Sequence, residues 1–219
     1  MEMTPDRWDA TNAYVQEVFG DPDDLLRRLP AQASAAGLPN WEISPDVGRL
    51  LSILVSTTAA RTLVEVGTLG GYSGIWLARA LAPGGQLLTV EYDDRHATFA
   101  EERFAEAGLG SVVEVVRGAA LDVLPDLADR LGPGSVDLAF VDAAKEEYEE
   151  YVAILAPLVA TGGYLVLDNC LGTGSSWIDD LSDHGMAAVD RANRALAADE
   201  RFDAVALTVR SGVLVARRR

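Results

Sequence analysis

Four residues in the second half of the chain carry side chains that together suit one kind of chemistry: Asp142, Lys145, Asp168 and Asn169. Two carboxylates and an amide oxygen are hard ligands. They suit Mg2+ or Ca2+ and leave coordination positions for water or a substrate. Asp and Asn also commonly cap the helix or turn after a strand, so each residue alone says little. The lysine adds weight. Of the 18 basic residues every other one is arginine, and a guanidinium cannot give up its proton in a protein. Position 145 is therefore read as one where arginine would not serve. A neighbouring divalent cation disfavours the ammonium form and leaves an amine able to act as a base.

A second constellation lies upstream, in Glu65-Val-Gly67-Thr-Leu-Gly70-Gly71-Tyr-Ser73. Glycines after a strand allow a tight turn and a close approach of ligand to main chain. The spacing is not G-x-G-x-x-G, and no Gly-Lys-Ser/Thr follows, so a dinucleotide or nucleoside triphosphate is poorly supported. The charge of Glu65 would oppose a pyrophosphate but suit a cationic amine or sulfonium. Glu91 closes Leu87-Leu-Thr-Val-Glu91 one unit later, where an acid can accept both hydroxyls of a ribose. Gly118-Ala119-Ala120 is small enough for a flat adenine edge. Asp168-Asn169 runs into Cys170-Leu171 rather than Pro-Pro-Tyr or Pro-Pro-Phe, which removes the usual signature of base-amino methylation.

These residues need elements to hold them. The first sixty residues read as helices over Ala10–Phe19, Asp23–Ala36 and Ser44–Thr58, with Ser44-Pro45 as N-cap and first helical residue. From Arg61, short apolar runs at Thr62–Val66, Gln86–Glu91, Val112–Val116, Val136–Val141 and Tyr164–Leu167 read as strands. They alternate with helical stretches at Tyr72–Leu81, His96–Ala107, Ala120–Arg130 and Tyr148–Leu158. Continuous runs such as Asp137-Leu-Ala-Phe-Val141 are what a strand covered on both faces requires, and the alternation means βαβ units in a parallel sheet. Phe202–Val209 and Gly212–Ala216 stand too close for anything but an antiparallel hairpin. The expected class is α/β, mostly parallel, with one antiparallel strand near the end. Glu65, Glu91, Asp142 and Asp168 then all fall at carboxyl ends of strands, where open α/β sheets bind ligands.

The 219-residue chain is 49% apolar and carries a formal charge of −16. That balance argues against nucleic acid, which is bound by clustered basic residues; the Arg217–Arg219 tail reads as a solubilising end. One Cys and two His exclude an intramolecular disulfide and a standard Cys/His zinc site. No apolar stretch is long enough to span a bilayer, and Met1–Ala10 lacks the apolar core of a signal peptide, so a cytoplasmic protein is expected. Cys170 reads as a small buried hydrophobe, His184 as a helix start and His96 as lying on a helix face. Trp41 and Trp177 could flank an aromatic ligand, although aromatics at a loop–core boundary are commoner.

The chain resembles the cation-dependent, S-adenosylmethionine-dependent O-methyltransferases related to caffeoyl-CoA and catechol O-methyltransferases. The resemblance runs from about Ile43 to Arg218. It rests on Ser44-Pro-Asp-Val-Gly48, Val64-Glu-Val-Gly-Thr-Leu-Gly-Gly-Tyr-Ser73, Phe140-Val-Asp-Ala-Ala-Lys145 with Tyr148 and Tyr151, and Gly162-Gly163 through Asp168-Asn169. It implies a Rossmann-like, seven-stranded sheet with one reversed strand and N-terminal helices that help close the site. Glu65, Gly67, Ser73, Glu91 and Ala120 would line the adenosylmethionine site with Asp142 at its edge. Asp142, Asp168 and Asn169 would hold Mg2+ or another divalent cation, and Lys145 would be the catalytic base. A homodimer is implied too. The organisation expected is one methyltransferase domain over 1–219, with a helical lid or dimerisation segment at 1–60 and the cofactor-binding core at 61–219.

Departures from the family pattern bear on the acceptor. Ala144 stands where many relatives have an Asp that helps position substrate. Gly172-Thr173 replaces a Trp and a polar residue, and Arg210-Ser211-Gly212 replaces a Gly-Asp-Gly. These changes point away from caffeoyl-CoA and mark Gly172–Trp177 as an altered, mobile acceptor loop. The expected activity is methylation of a small catechol-type or hydroxylated aromatic acceptor, with neither nucleic acid nor membrane as partner. Two alternatives stay open: a methyltransferase of this fold with a non-catechol, metal-independent acceptor, and a non-catalytic cofactor-binding module.

Overall fold

The computed structural model describes residues 4–173 and 176–219. Helices α1 (Pro5–Val15), α2 (Asp24–Ala35) and α3 (Pro45–Thr57) come first, and α1 runs on into a wider π-helical turn at Gln16–Gly20. The alternating part follows as β1 (Thr62–Val66), α4 (Tyr72–Arg79), β2 (Gln86–Glu91), α5 (Asp94–Glu106), β3 (Val113–Arg117), α6 (Ala120–Leu131) and β4 (Val136–Val141). A 3-10 turn at Lys145–Glu147 leads into α7 (Tyr148–Leu155), then β5 (Val159–Asp168), the short pair β6 (Gly172–Thr173) and β7 (Ser176–Trp177), α8 (His184–Ala198), β8 (Phe202–Leu207) and β9 (Val213–Arg218).

The seven-stranded sheet has the order β3-β2-β1-β4-β5-β9-β8. Only β9 runs opposite to the other six strands, as expected for one reversed strand. The chain lays β2 and β3 outward from β1, then returns to place β4 on the other side of β1. That reversal opens a crevice at the carboxyl ends of β1 and β4, the place where such sheets take ligands. One face is covered by α6, α7 and α8, which meet Val64, Leu88 and Leu165; the other by α2 to α5, which meet Leu63, Leu87 and Phe140. Helices on both faces explain the unbroken apolar strand runs.

The N-terminal helices are docked on this core through α3. Gly48 of α3 faces Trp76 of α4 so closely that a Cβ would lie 2.4 Å from the indole. The Arg49 guanidinium stacks 5.2 Å from the same ring centroid. Ser44 is at the N-cap with Pro45 following, yet its hydroxyl makes no capping hydrogen bond. By contrast Asp23, Asp93 and Asp183 cap α2, α5 and α8 through their carboxylates.

Three sequence expectations are corrected. Strand β5 begins at Val159, not Tyr164, because Thr161-Gly162-Gly163 forms an irregularity inside the strand rather than a turn before it. Gly162 has φ +84°, and a Cβ on Gly163 would meet the Asp137 carbonyl at 2.7 Å. Helix α1 starts at Pro5, which the alternation of polar residues concealed. The basic tail is not loose. Arg217 and Arg218 belong to β9, the Arg218 guanidinium donates to the Pro157 carbonyl at 3.0 Å, and Arg219 pairs with Asp203 at 2.7 Å. Cys170 is buried, His184 begins α8 and His96 lies on α5, as read from the sequence. Among the described residues no helix is long and apolar enough to cross a membrane.

The Gly48–Trp76 contact gives a test of this docking. Ala is the better helix former by about 1 kcal/mol, but overpacking a filled contact costs about 1–3 kcal/mol. Gly48→Ala is therefore expected to lower the melting temperature by a few degrees. A variant melting at or above the parent temperature would show that α3 does not pack tightly here.

Candidate active site

Two turns meet at the crevice. After β1, Gly67 adopts φ +101°, and a Cβ there would lie 2.1 Å from the Asp142 carbonyl oxygen. The Asp142 amide in turn donates to the Val66 carbonyl at 2.9 Å. Leu69 and Gly71 are also left-handed, at φ +47° and +81°, so the turn winds back to start α4 at Tyr72. A left-handed residue with a side chain is uncommon; Leu69 is held by its amide, which donates to Glu91 Oε2 at 2.8 Å. Glu91 Oε1 accepts from the Asp93 amide at 2.9 Å, so one carboxylate joins the glycine turn to the start of α5. Gly118 donates to the Glu91 carbonyl, and Ala120 opens α6 beside it.

Glu65 lies beneath the turn and is fully buried. Its Oε2 accepts from Thr89 Oγ1 at 2.6 Å; Thr89 also meets Thr68, and Ser73 bonds to the same carboxylate. Its Oε1 is buried without a partner. Desolvation, against the bonds from Ser73 and Thr89, pushes its pKa up to about 7. Glu65 stands at the carboxyl end of β1, next to the turn, as the sequence reading placed it.

On the other side of the crevice, Lys145 Nζ donates to Asp142 Oδ1 at 2.8 Å and to the Tyr148 hydroxyl at 2.5 Å. The Tyr148 hydroxyl faces the carbonyls of Val141 and Asp168 at 3.2 and 3.0 Å. It therefore ties the lysine turn to the ends of β4 and β5. Burial raises the Tyr148 pKa well above its ordinary value, so the hydroxyl stays protonated. Asp168 is 2% exposed. Burial first, and the charge of Asp142 second, push its pKa up to about 7. Its Oδ1 is buried without a partner, and Asn169 follows in the left-handed region at φ +53°.

Asp142, Lys145, Asp168 and Asn169 are thus brought to one place. Among the described residues no group of three or more His, Cys, Asp or Glu is placed to hold a metal ion. A metal here would have to be held by two carboxylates and the Asn169 amide. That oxygen-only set, with an unpartnered buried carboxylate oxygen and mutual repulsion between the acids, fits a hard divalent cation.

Between the N-terminal helices and the turn after β8 opens a cavity of about 430 Å3, lined by Ser44, Pro45, Tyr72, Glu42, Pro30 and Arg210 among others. Arg210 Nη1 approaches Asp168 Oδ2 to 3.8 Å. The sequence noted Arg210 only as a departure and gave Tyr148 no role. The three-residue spacing from Lys145 to Tyr148 was the one signal for the latter. Trp41 and Trp177 are exposed and do not line this cavity. Of the loop expected to contact the acceptor, Gly174 and Ser175 lie outside the described residues.

A profile of the O-methyltransferase family matches residues 16–219. A catechol O-methyltransferase from Niastella koreensis is 35% identical over 200 residues, which is 91% of this chain and 90% of that protein. One from Mycobacterium tuberculosis is 38% identical over 174 residues, 80% of this chain and 77% of the relative. Among solved structures, an O-methyltransferase from Bacillus cereus in complex with SAH superposes with a TM-score of 0.88 at 34% identity, covering 98% of this chain and 99% of the other. An O-methyltransferase from Streptomyces achromogenes involved in tomaymycin synthesis, in complex with SAM, gives 0.87 at 35% identity, with 99% of each chain covered.

The buried Glu65 makes stability depend on pH. Its folded pKa, about 7, lies above the unfolded value of 4.5. The folded state therefore binds the proton more tightly, and this residue's contribution falls as pH rises from 4.5 towards 7, then levels off. Glu65→Gln keeps the shape and removes the charge. It should gain stability over the parent by on the order of 3 kcal/mol at pH 8, with the difference shrinking towards pH 4.5. Urea melts at several pH values measure this, and a difference independent of pH would contradict a buried, proton-binding Glu65.

Proposed function

The chain belongs to the O-methyltransferase family and uses S-adenosylmethionine as methyl donor, and on that premise we propose that it methylates a small catechol-type or hydroxylated aromatic acceptor with the aid of a divalent cation, Mg2+ being the expected one. The observation that carries the metal is the pair of acids. Asp168 is buried, raised by the charge of Asp142, and has an unpartnered oxygen. The printed names of the Niastella and Mycobacterium relatives support the acceptor class.

In this reading the glycine turn and Glu91 hold the cofactor. Gly67 lets the main chain pass close, Glu91 has lone pairs left for the ribose hydroxyls, and Ala120 offers a flat edge to the adenine. Glu65 and Ser73 brace the turn, and Glu65 favours the cofactor's cationic end by its charge. Asp142, Asp168 and Asn169 would hold the cation. S-adenosylmethionine, when bound, supplies an electrophilic methyl group on a sulfonium sulfur. A divalent cation supplies positive charge that makes an adjacent acceptor hydroxyl easier to deprotonate. Lys145, oriented by Asp142 and the Tyr148 hydroxyl, takes the proton of that hydroxyl. The new O–CH3 bond forms as the S–CH3 bond breaks, and the protein contributes positioning and electrostatics.

Lid and assembly belong to the same proposal. Helix α1 buries none of its residues and leaves Trp8 and Tyr14 exposed, with Val18 and Phe19 just beyond. Such a surface supports a lid or dimerisation segment over 1–60 set on a cofactor-binding core over 61–219, and a homodimer in the cytoplasm. Neither a membrane nor a nucleic acid is needed as partner.

Two experiments test the chemistry. Turnover of simple catechols should disappear with excess chelator and return with Mg2+, and Asp168→Ala should lose that turnover while still binding cofactor by calorimetry. Full activity in chelator would move the protein to metal-independent acceptor chemistry. The second is Lys145→Arg, which keeps the charge but cannot take a proton. It should reduce turnover by roughly 10²–10⁴, the usual worth of a general base, with little change in cofactor affinity. A variant as fast as the parent would remove Lys145 as the base.

A further inference from the structure

Helix α8 touches both of the turns that carry Lys145 and Asn169. At its start, Gly185 packs against the Lys145–Glu147 turn. A Cβ on Gly185 would lie 3.3 Å from Lys145 Cβ, 3.2 Å from Asp183 Oδ1 and 3.5 Å from Glu146 Oε1. Further along the same helix, Asn193 Nδ2 donates to the Cys170 carbonyl at 2.7 Å. The two contacts stand about 12 Å apart along the axis at about 1.5 Å per residue. One rigid element therefore sets where the Lys145 turn lies relative to the end of β5. The helix is itself anchored. Asp183 accepts from the Met186 amide at 2.9 Å, Arg191 Nε donates to Glu149 Oε2 of α7 at 2.7 Å, and Met186, Val189 and Ala192 are buried.

The contact at Asn193 bears on Asn169. Cys170 is held on both sides: its amide donates to the Gly212 carbonyl at 3.1 Å, and its carbonyl accepts from Asn193. Asp168 is fixed as the last residue of β5. Between them Asn169 takes the left-handed conformation at φ +53°, which Asn tolerates better than most residues. Releasing Cys170 frees Asn169 to leave that conformation and turn its amide away. Asn193 is not there for the core. Its Oδ1 is buried without a hydrogen-bond partner, and a half-satisfied buried amide costs free energy that an apolar side chain would avoid. The bond to Cys170 is what this residue contributes.

We propose that Asn193 and Gly185 are positioning residues for methyl transfer: Asn193 orients Asn169 towards the cation, and Gly185 seats the turn that carries Lys145. The proposal rests on the reading of Asp142, Asp168 and Asn169 as the cation's ligands and of Lys145 as the base. Each positioning residue acts through the turn it holds. A ligand that loses the hydrogen bond behind it loses its aim, and such changes typically cost about 10–100-fold in metal affinity. Gly185 works by having no side chain. Its 3.3 Å approach is closer than the roughly 3.5–4.0 Å of ordinary carbon contacts, so a methyl group there must push the Lys145 turn aside. Small misplacements of a reacting group are costly in rate. The two effects separate, because one turn carries a ligand and the other the base.

The test measures Mn2+ binding by electron paramagnetic resonance on the full chain with S-adenosylhomocysteine, and kcat and KM for catechol at saturating Mg2+. Asn193→Ala should weaken Mn2+ binding by about 10–100-fold, and Asn193→Gln, which keeps an amide donor, should recover part of the loss. At saturating Mg2+ the kcat of Asn193→Ala should return towards that of the parent. Gly185→Ala should show the opposite pattern, with Mn2+ affinity kept and kcat lowered roughly tenfold at an unchanged KM for S-adenosylmethionine. Unchanged S-adenosylhomocysteine affinity reports that each variant is folded; if Asn193→Ala fails this check, Asn193→Ser takes its place. Parent-like Mn2+ binding by Asn193→Ala, or a loss of metal affinity and kcat together in both variants, overturns the proposal while leaving the metal reading intact. A parent that binds no Mn2+ overturns the metal reading and this proposal with it. If catechol is not turned over, the Mn2+ affinities alone decide.

Discussion

At the centre of the sheet's carboxyl edge, the backbone of Gly67 lies against the carbonyl of Asp142, with no room between them for a Cβ. This contact exists because the chain returns β4 to the free side of β1, where the Asp142 amide bonds to the Val66 carbonyl. It joins two constellations separated widely in sequence. The glycine turn leans on Glu91 to one side and on Asp142 to the other. A side chain at 67 would have to push apart the end of β4, and with it the turn that carries Lys145.

Electrostatics at this edge run against stability. Glu65 and Asp168 are both buried acids whose charged forms are disfavoured by desolvation. Natural proteins tolerate such groups where function needs them. The compensation here comes from hydrogen bonds and not from full ion pairing. Thr89 and Ser73 serve Glu65, while Lys145 serves Asp142 and leaves Asp168 with a distant guanidinium. A cationic cofactor above Glu65 and a dication on Asp168 would each supply the charge that the protein withholds.

The N-terminal helices complete the arrangement from the opposite face. Gly48 lets α3 settle on Trp76, which brings Ser44 and Pro45 to the mouth of the cavity next to the β8–β9 turn. Ser44 is at a helix start and yet leaves capping undone. This cavity is therefore built from two ends of the chain, and neither segment forms it alone.

Much of the fold was written in periodicity. Continuous apolar strands alternating with amphipathic helices required a parallel sheet covered on both faces, and the last two runs required a hairpin, because these signals depend on near neighbours. The candidate chemistry was legible for a related reason: Glu65, Glu91, Asp142 and Asp168 each follow or close an apolar run, which puts them at strand ends. The single lysine could be noticed from composition alone. What the sequence could not carry was which strand ends meet. The placement of β4 beside β1, the bond from Thr89 to Glu65, and the Tyr148 hydroxyl between two carbonyls all follow from packing between distant segments. Arg210 shows the limit most clearly. As a letter it was only a departure from a family pattern, because neither its left-handed backbone nor its approach to Asp168 has any local spacing to announce it. Local order follows from contacts a few residues apart, whereas the cavity lined by Ser44 and Arg210 exists only where the first helices and the final turn are folded against each other.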